Sequence, residues 1–313
     1  MKITIAGAGA MGCRFGAVLA EAGHDVLLLD GWPDHVRAIN ASGLKVTDEH
    51  GTRAIRIRAK LFPADTDPVD LLIVFAKATA TAEVAEAAAP AIGPETLVLT
   101  LQNGLGNIEA LLPHVPRDRL LAGTTTLGTE LVGPGHIRAL GSGETVLGGL
   151  GPPLHAERLR ATLAAASLVV RAAPDPLAVI WAKVAFNCVM NSLCTIASIP
   201  VSALALYPGF DELAGSILDE VAAVATAEGV TVDTAGALAL MKAQFDPAAS
   251  GHHLASTLQD LLAGRPTEIA HLNGAIATRA AAHGIPAPAN ALITQLVQLL
   301  EATRGRRVAS VHP

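Results

Sequence analysis

The first half of the chain alternates short apolar runs with segments in which apolar residues recur at helical spacing. The apolar runs are Lys2–Ala6, Asp25–Leu29, Asp70–Ala76 and Thr96–Leu101. Helical spacing covers Ala10–Ala22, which stops at Gly23, and the alanine-rich Thr79–Ala89. Continuous apolar runs are typical of parallel strands buried on both faces, and strands that alternate with helices predict βαβ units. The pattern therefore predicts an α/β domain.

Two other stretches of this half predict β-hairpins. Leu44–Ala59 has a turn at Asp48–Gly51, and the segment between Leu121 and Gly149 is punctuated by glycines. Turn residues between short runs of strand-forming residues are typical of paired antiparallel strands.

After Pro174 the strand patterns cease and only helical spacing remains. The helical segments are Pro176–Ser198, Asp211–Glu228, Thr234–Phe245, His252–Ala263, Thr267–His283 and Asn290–Ala302. Each break between them carries Pro or Gly, which are typical of helix ends. The change falls between Ala172 and Pro176, so we expect an α/β domain over residues 1–173 and an all-α domain over residues 174–313.

Composition excludes several classes of protein. The 313 residues include 22 Lys plus Arg against 28 Asp plus Glu, a formal charge of −6. A protein that neutralises nucleic-acid phosphates would be basic, so we expect no nucleic-acid partner. Cys13, Cys188 and Cys194 lack disulfide or metal-ligand spacing, which favours buried thiols in a reducing compartment, the cytoplasm. His252 and His253 are adjacent and lack a third ligand at metal spacing, so we expect no metal.

One segment, Leu177–Ile199, is apolar and long enough to span a bilayer. Lys183 near its centre, with Asn187 and Asn191, would be costly in lipid. We therefore expect a buried helix and no membrane partner. The three polar residues are four apart, and each step of four turns only about 40° around a helix, so they form one stripe.

The lysine in this stripe suggests chemistry. A buried ammonium group with a lowered pKa can donate a proton to a carbonyl oxygen that gains charge during a reduction. The alternative is a Lys183 that extends to solvent, with the two asparagines capping a neighbouring loop.

Residues 7–12, GAGAMG, form a G-x-G-x-x-G motif that follows a predicted strand and opens a predicted helix. In such a turn Gly7 permits the sharp bend, Gly9 lets the backbone approach a pyrophosphate, and Gly12 lets the helix pack against the strand. This setting favours a Rossmann-like dinucleotide-binding domain over a glycine-rich turn without a ligand. Ala10 and Met11 are then also cofactor-binding residues.

Asp30 ends the second predicted strand, 18 residues beyond Gly12. An acid at this place can accept hydrogen bonds from the adenosine ribose hydroxyls and repels a 2′-phosphate, which favours NAD over NADP. Two alternatives stay open: Asp30 can be a turn or helix-capping residue, and the nearby Arg37 can meet a phosphate.

Seven motifs follow one another over nearly the whole chain. They are GAGAMG at 7–12, FAK at Phe75–Lys77, QNGLGN at Gln102–Asn107, GTTT at Gly123–Thr126, WAKVAFNCVMN at Trp181–Asn191, STLQDLLAGRPTEIAHLNG at Ser256–Gly274 and HGIPAPAN at His283–Asn290. In this order they resemble the ketopantoate reductase (2-dehydropantoate 2-reductase) family. The resemblance implies a homodimeric, nicotinamide-dependent oxidoreductase that reduces 2-dehydropantoate to pantoate for pantothenate and coenzyme A synthesis.

The resemblance also implies roles for single residues. Lys183 would be the general acid and Glu268 its partner. Asn187, Asn191 and Ser256 would hold the 2-oxo acid substrate. The competing interpretations are that Ser256 forms a capping box with the residue three positions on, and that Glu268 merely lies in a first helical turn, where acids are favourable.

Two more residues complete the implied site. Asn103 would contact the nicotinamide side of the cofactor, and Lys77, at the carboxyl end of a strand, would face both cofactor and substrate. The alternatives are an ordinary Asn-Gly turn at Asn103 and a surface lysine at Lys77.

Two departures from the family pattern leave details open. Asp30-Gly31 stands where many members carry an arginine for the NADP phosphate, so the cofactor can be NADP or NAD. Ala270 stands where members often have an acid, so the 2-oxo acid can differ. The rival functions are an NAD-dependent 2-hydroxyacid dehydrogenase of the mandelate type and a non-catalytic NAD-binding sensor, which would not need Lys183 and Glu268.

Overall fold

A computed structural model describes residues 1–246 and 254–306. The chain divides into two compact units: the first comprises Met1–Gln102 and Gly106–Ile180, and the second comprises Asn103–Leu105 and Trp181–Pro313. The first unit is built on β-sheets with helices, and the described part of the second unit is helical. The predicted fold class, an α/β region followed by an all-α region, is confirmed.

The structure describes every residue of the first unit, which contains twelve strands. In chain order they are β1 (Lys2–Ala6), β2 (Asp25–Asp30), β3 (Leu44–Asp48), β4 (Gly51–Ile55), β5 (Arg58–Leu61), β6 (Leu71–Val74), β7 (Leu97–Thr100), β8 (Leu120–Thr125), β9 (Gly128–Gly133), β10 (His136–Leu140), β11 (Glu144–Gly149) and β12 (Val169–Ala172). Eight form one sheet in the order β12-β11-β8-β7-β6-β1-β2-β5, and four form a second sheet in the order β4-β3-β10-β9. In the large sheet only the β8–β11 pair is antiparallel.

Five α-helices accompany these strands. They are α1 (Ala10–Glu21), α2 (Pro33–Ser42), α3 (Thr81–Ala88), α4 (Asn107–Leu111) and α5 (Pro153–Ala165). Successive residues of a central strand enter different apolar clusters: Ile5 belongs to one and Ala6 to the other, as do Ile73 and Val74. Because both faces of the sheet are buried, its strands are continuous apolar runs in the sequence.

The hairpin predicted at Leu44–Ala59 is correct only in its first part. Strands β3 and β4 pair as expected, but Ala59 lies in β5, which pairs with β2 in the large sheet. The Asn40 side chain explains the departure, because its Nδ2 donates to Ala59 O at 2.8 Å and its Oδ1 accepts from Ala59 N at 3.0 Å. This contact fixes the edge strand to α2.

The glycine-punctuated segment between Leu121 and Gly149 also divides between the sheets. Strands β9 and β10 form a hairpin in the small sheet, whereas β8 and β11 pair in the large one. Helices α2 and α5 and strand β12 were not predicted. Both helices begin at a proline, Pro33 and Pro153, and proline at a first helical position is the signal that could have revealed them.

The second unit is described as helices. They are α6 (Pro176–Ala197), which begins in the first unit, α7 (Phe210–Ala227), α8 (Thr234–Ala243), α9 (Ser256–Leu262), α10 (Asn273–Ala282) and α11 (Pro288–Ala302). Length and composition alone would let α6 cross a membrane, but 61% of its most apolar stretch is buried inside the protein. A helix that is apolar on most sides and buried in this way is a core helix. The segment predicted to begin at His252 starts outside the described residues.

The helix predicted over Thr267–His283 is wrong in its first half. A short 3₁₀ turn, Ile269–His271, precedes α10, and Leu272 between them has non-helical backbone angles. The reason is a competing contact: His271 O accepts a hydrogen bond from Leu105 N at 2.9 Å. The backbone therefore leaves the helical path to pair with the Asn103–Leu105 segment.

A buried polar network joins four helices of this unit. Ser192 Oγ on α6 donates to Asn273 Oδ1 at 2.6 Å, and Asn273 Nδ2 donates to Asn290 Oδ1 at 2.9 Å. Asn290 Nδ2 in turn donates to Glu220 Oε2 on α7 at 2.7 Å. Because Ser192, Asn273 and Asn290 are inaccessible to solvent, these bonds specify how α6 is rotated against α7, α10 and α11.

Candidate active site

The polar stripe of α6 carries the first group of candidate residues. Lys183 is partly buried, and Asn187 and Asn191 are only 7% and 8% exposed. Their neighbours Val184, Cys188 and Val189 are buried apolar residues. The stripe thus sets one cation and two amides into an apolar helix.

Glu268 is the charged group that acts on Lys183. Burial lowers the pKa of Lys183 to about 8, and the Glu268 carboxylate opposes this by favouring the ammonium form. Glu268 does not lie in the first turn of an α-helix, as the competing interpretation required, but immediately before the 3₁₀ turn. Its position is set by the irregular backbone there.

Asn103 belongs to the same group, because its Nδ2 donates to Glu268 Oε2 at 3.5 Å. The next residue, Gly104, has φ +83°, and a Cβ there would lie 2.6 Å from His271 O. Only glycine permits this approach. Leu105 N donates to the same carbonyl oxygen. Asn103 therefore belongs to an Asn-Gly turn and also contacts Glu268, so the two interpretations of this residue are compatible.

Ser256 lies at the first residue of α9 and is exposed. Its Oγ accepts a hydrogen bond from Asn191 Nδ2 at 3.1 Å. The capping-box alternative is wrong: Ala255 is the N-cap, no side chain caps the helix, and Gln259 Nε2 donates to Leu254 O instead. The structure thus brings Ser256 to the end of the α6 stripe.

The glycine-rich turn lies in the first unit, between β1 and α1. A Cβ on Gly7, whose φ is +97°, would lie 2.7 Å from Ala76 N, and one on Gly12 would lie 1.9 Å from Gly7 O. A Cβ on Gly9 would meet no atom within 4 Å. Packing therefore requires glycine at 7 and 12, while position 9 faces open space.

This open space lies at the N-terminus of α1. Gly9 is the N-cap of α1, no side chain caps the helix, and its first turn carries no acid. The leading N–H groups of a helix without a side-chain cap can bind an anion, which the helix dipole also favours. Ala10 and Met11 lie in this first turn, as expected of cofactor-binding residues.

Asp30 ends β2, and its Oδ1 accepts a hydrogen bond from Trp32 N at 2.9 Å. The turn interpretation is thus correct, yet a carboxylate has a second oxygen that can accept a ribose hydroxyl. Arg37 forms an ion pair with Asp34 at 3.0 Å. A Cβ on Gly31 would meet no atom within 4 Å, so packing does not require glycine beside Asp30.

Lys77 is exposed and follows β6. Three residues that the sequence interpretation left without a role hold the loops around it. Gln102 Nε2 donates to Ala76 O at 2.7 Å and to Thr81 Oγ1 at 2.8 Å, and Thr81 Oγ1 donates to Asn107 Oδ1 at 2.8 Å. Gln102 and Asn107 are the first and last residues of QNGLGN, which was the signal available in the sequence.

The described residues contain no group of three or more His, Cys, Asp or Glu side chains that could hold a metal ion. His252 and His253 lie outside the described residues. Cys13, Cys188 and Cys194 are buried free thiols.

Comparison with known proteins gives a consistent result. The family described as Ketopantoate reductase PanE/ApbA matches residues 3–152, and its C-terminal counterpart matches residues 175–301. A 2-dehydropantoate 2-reductase of Lactococcus lactis is 34% identical over 306 residues, 96% of this chain and 98% of the relative.

Two solved structures extend the comparison. A ternary structure of D-mandelate dehydrogenase with NADH and anilino(oxo)acetate has a TM-score of 0.93 at 33% identity and covers 97% of this chain and 99% of its own. A PanE/ApbA family ketopantoate reductase from Ralstonia eutropha has a TM-score of 0.88 at 36% identity, with the same coverage. Both halves of the chain thus match one family, and the chain belongs to the ketopantoate reductases, oxidoreductases that use a nicotinamide cofactor.

Proposed function

We propose that this enzyme reduces 2-dehydropantoate to pantoate, with Lys183 as the general acid. The observation that supports this most strongly is the pair formed by a partly buried lysine and Glu268, beside the two buried asparagines of α6. A binding protein would have no use for a desolvated ammonium group, because its burial costs stability. A reductase needs a proton donor whose pKa is close to the working pH.

The nicotinamide cofactor, when bound, supplies the hydride that reaches the keto carbon. The chain then has to neutralise the charge that develops on the keto oxygen. Lys183 Nζ stabilises that oxygen and transfers a proton to it, leaving a neutral amine. Because the amine is in a desolvated site, this loss of charge is favourable, and Glu268 keeps enough of the lysine protonated for the next turnover.

The amide and hydroxyl groups at the other end of the stripe serve to orient the substrate. Asn191 Nδ2 and Ser256 Oγ lie 3.1 Å apart, and this bond holds both groups in place. We propose that they bind the substrate carboxylate and hydroxyl, together with Asn187. Asn103 is held by Glu268 and serves the nicotinamide side, and Lys77 adds a cation at the carboxyl end of β6.

A second candidate function is the NAD-dependent reduction of an aryl 2-oxo acid. It is favoured by the match to D-mandelate dehydrogenase and by Asp30, which favours NAD. Both candidates share the same proton donor and differ only in the substituent of the 2-oxo acid.

Initial rates with purified protein separate the candidates. We expect oxidation of NADH to be faster with 2-dehydropantoate than with 2-oxo-2-phenylacetate, at matched concentrations. A higher kcat/KM for the aryl acid would select the second candidate. Calorimetric binding of NADH without turnover of either acid would indicate a sensor and overturn both.

The pH profile tests Lys183. With its pKa at about 8, the ammonium form prevails below this pH, so kcat/KM for reduction should fall above it by about tenfold per pH unit. Oxidation of the hydroxy acid needs the neutral amine and should rise through the same pH.

Lys183→Ala should lower kcat by about 10²–10⁴-fold while calorimetry shows unchanged NADH binding.

Glu268→Gln is the matched control for this profile. Removing the carboxylate takes away the contribution that raises the lysine pKa, so the alkaline limb should move to lower pH. An unchanged limb in Glu268→Gln, or an unchanged kcat in Lys183→Ala, would contradict the assignment.

Gly9→Ala and Gly12→Ala form a second matched pair. A Cβ at position 9 meets no protein atom, so the apo protein should keep its Tm while affinity for NADH falls, because the methyl group occupies pyrophosphate space. A Cβ at position 12 meets Gly7 O, so Gly12→Ala should lower the Tm of the apo protein. Thermal melts and NADH titrations distinguish the two, and an unaltered NADH affinity in Gly9→Ala would show that the turn binds no pyrophosphate.

Cofactor preference is tested at Asp30 and Gly31. We propose that NADH is preferred, because a carboxylate repels the 2′-phosphate of NADPH. Asp30→Ala and Gly31→Arg should each shift the ratio of kcat/KM values towards NADPH, and a Cβ at position 31 meets no protein atom within 4 Å. A constant ratio in both variants would leave Asp30 as a turn residue only.

A further inference from the structure

A buried chain of polar contacts connects the small sheet with the glycine-rich turn. Gly135 N, between β9 and β10, donates to His35 Nδ1 at 3.0 Å. His35 Nε2 lies 3.4 Å from Cys13 Sγ, and Cys13 Sγ donates to Ala8 O at 3.0 Å. His35 is 1% exposed, and Cys13 and Ala8 are inaccessible to solvent. Nothing in the sequence indicates a role for His35, and the spacing of Cys13 predicts only a buried thiol.

The direction of each hydrogen bond follows from the chemistry. Because the Gly135 N–H donates to Nδ1, the neutral imidazole carries its proton on Nε2, where the Cys13 sulfur and the Ala8 carbonyl are both acceptors. Burial lowers the pKa of His35, which keeps the ring neutral despite the charge of Asp30. Burial also raises the pKa of the Cys13 thiol, so the sulfur keeps the proton that it donates to Ala8 O.

One face of the His35 ring packs against the segment that follows Asp30. The indole ring of Trp32 stacks on the imidazole with a centroid distance of 5.4 Å and an interplanar angle of 9°. Trp32 N donates to Asp30 Oδ1. A single buried ring therefore contacts both segments of the first unit to which adenosine and pyrophosphate recognition are assigned above.

Ala8 O is the point at which this chain of contacts reaches the turn. Gly7 N and Ala8 N donate to Leu29 O at 2.9 and 3.1 Å. The carbonyl of Ala8 accepts from the buried Cys13 thiol and also interacts with the His35 ring. Leaving a buried carbonyl short of donors is costly, so loss of either the thiol or the imidazole would weaken the support for this path of the turn.

We propose that His35 and Cys13 are positioning residues that hold residues 7–12 in the dinucleotide-binding conformation before the cofactor arrives. They touch neither cofactor nor substrate and act through Ala8 O and the Asp30–Trp32 segment. The inference rests on the assignment of the glycine-rich turn as the dinucleotide site.

Direct binding tests the proposal without catalysis. NADH and, separately, NADPH are titrated calorimetrically into wild type, Cys13→Ala, Cys13→Ser and His35→Phe. Phenylalanine keeps a ring for Trp32 to stack on but removes both hydrogen bonds. We expect the Kd for NADH to rise about tenfold in Cys13→Ala and His35→Phe, the equivalent of one net hydrogen bond. Cys13→Ser keeps a donor for Ala8 O and should bind almost as wild type does.

Three further measurements exclude a merely structural effect. Cys194→Ala removes a buried thiol from α6 in the second unit and should change the Tm without changing the Kd. At saturating NADH, kcat and the KM for the 2-oxo acid should be unchanged in Cys13→Ala and His35→Phe. Amide hydrogen exchange of residues 7–13 in the apo protein should be faster in Cys13→Ala than in Cys13→Ser.

The outcomes are distinct. Wild-type Kd values in Cys13→Ala and His35→Phe would overturn the inference, and so would failure of both variants to fold while Cys194→Ala folds, because the pair would then support the whole unit. If wild type binds neither dinucleotide, the proposed function itself fails.

Discussion

The helical unit depends on holding one ammonium group in an apolar helix. Desolvation of Lys183 favours loss of its proton, and the Glu268 carboxylate favours the charged form. Together these two effects give Lys183 a pKa of about 8, so both its ammonium and its amine form are accessible near neutral pH. The polar network from Ser192 to Asn273, Asn290 and Glu220 fixes the rotation of α6, the helix that carries this lysine.

In the first unit the main constraint is on the backbone conformation of the glycine-rich turn before α1. Two of its glycines are demanded by the protein itself, since a Cβ at Gly7 or Gly12 would overlap neighbouring backbone. Gly9 is not demanded by any protein atom, so only a ligand gives a reason for its lack of a side chain. Packing thus explains Gly7 and Gly12 but not Gly9. This difference supports dinucleotide binding independently of the match to the motif.

The features that could be predicted from the sequence are those that depend on local periodicity. The order of β1, α1 and β2 and the stripe of Lys183, Asn187 and Asn191 follow from spacings of two to four residues. Prediction failed where distant segments compete for the same backbone groups: β5 leaves its hairpin because Asn40 and β2 pair with it, and the helix before Asn273 is broken because Leu105 binds His271 O. Glu268 was proposed through the resemblance alone, since nothing in its local sequence indicates the electrostatic effect that it has on Lys183.

The two candidate substrates, 2-dehydropantoate and an aryl 2-oxo acid, differ in the substituent on the keto carbon and not in the reacting group. Every 2-oxo acid presents the same carboxylate and keto oxygen, and the proposed roles of the groups on α6, α9 and the Asn103 turn involve only those shared atoms. The substituent on the keto carbon, by contrast, is recognised through apolar volume, which distinguishes substrates by small increments per methylene and carries no polar signature in the sequence. A ketopantoate reductase and a D-mandelate dehydrogenase, each about one third identical to this chain, share its fold. Selectivity within this family should accordingly reside in apolar positions and in replacements such as Ala270, rather than in Lys183 or its partner.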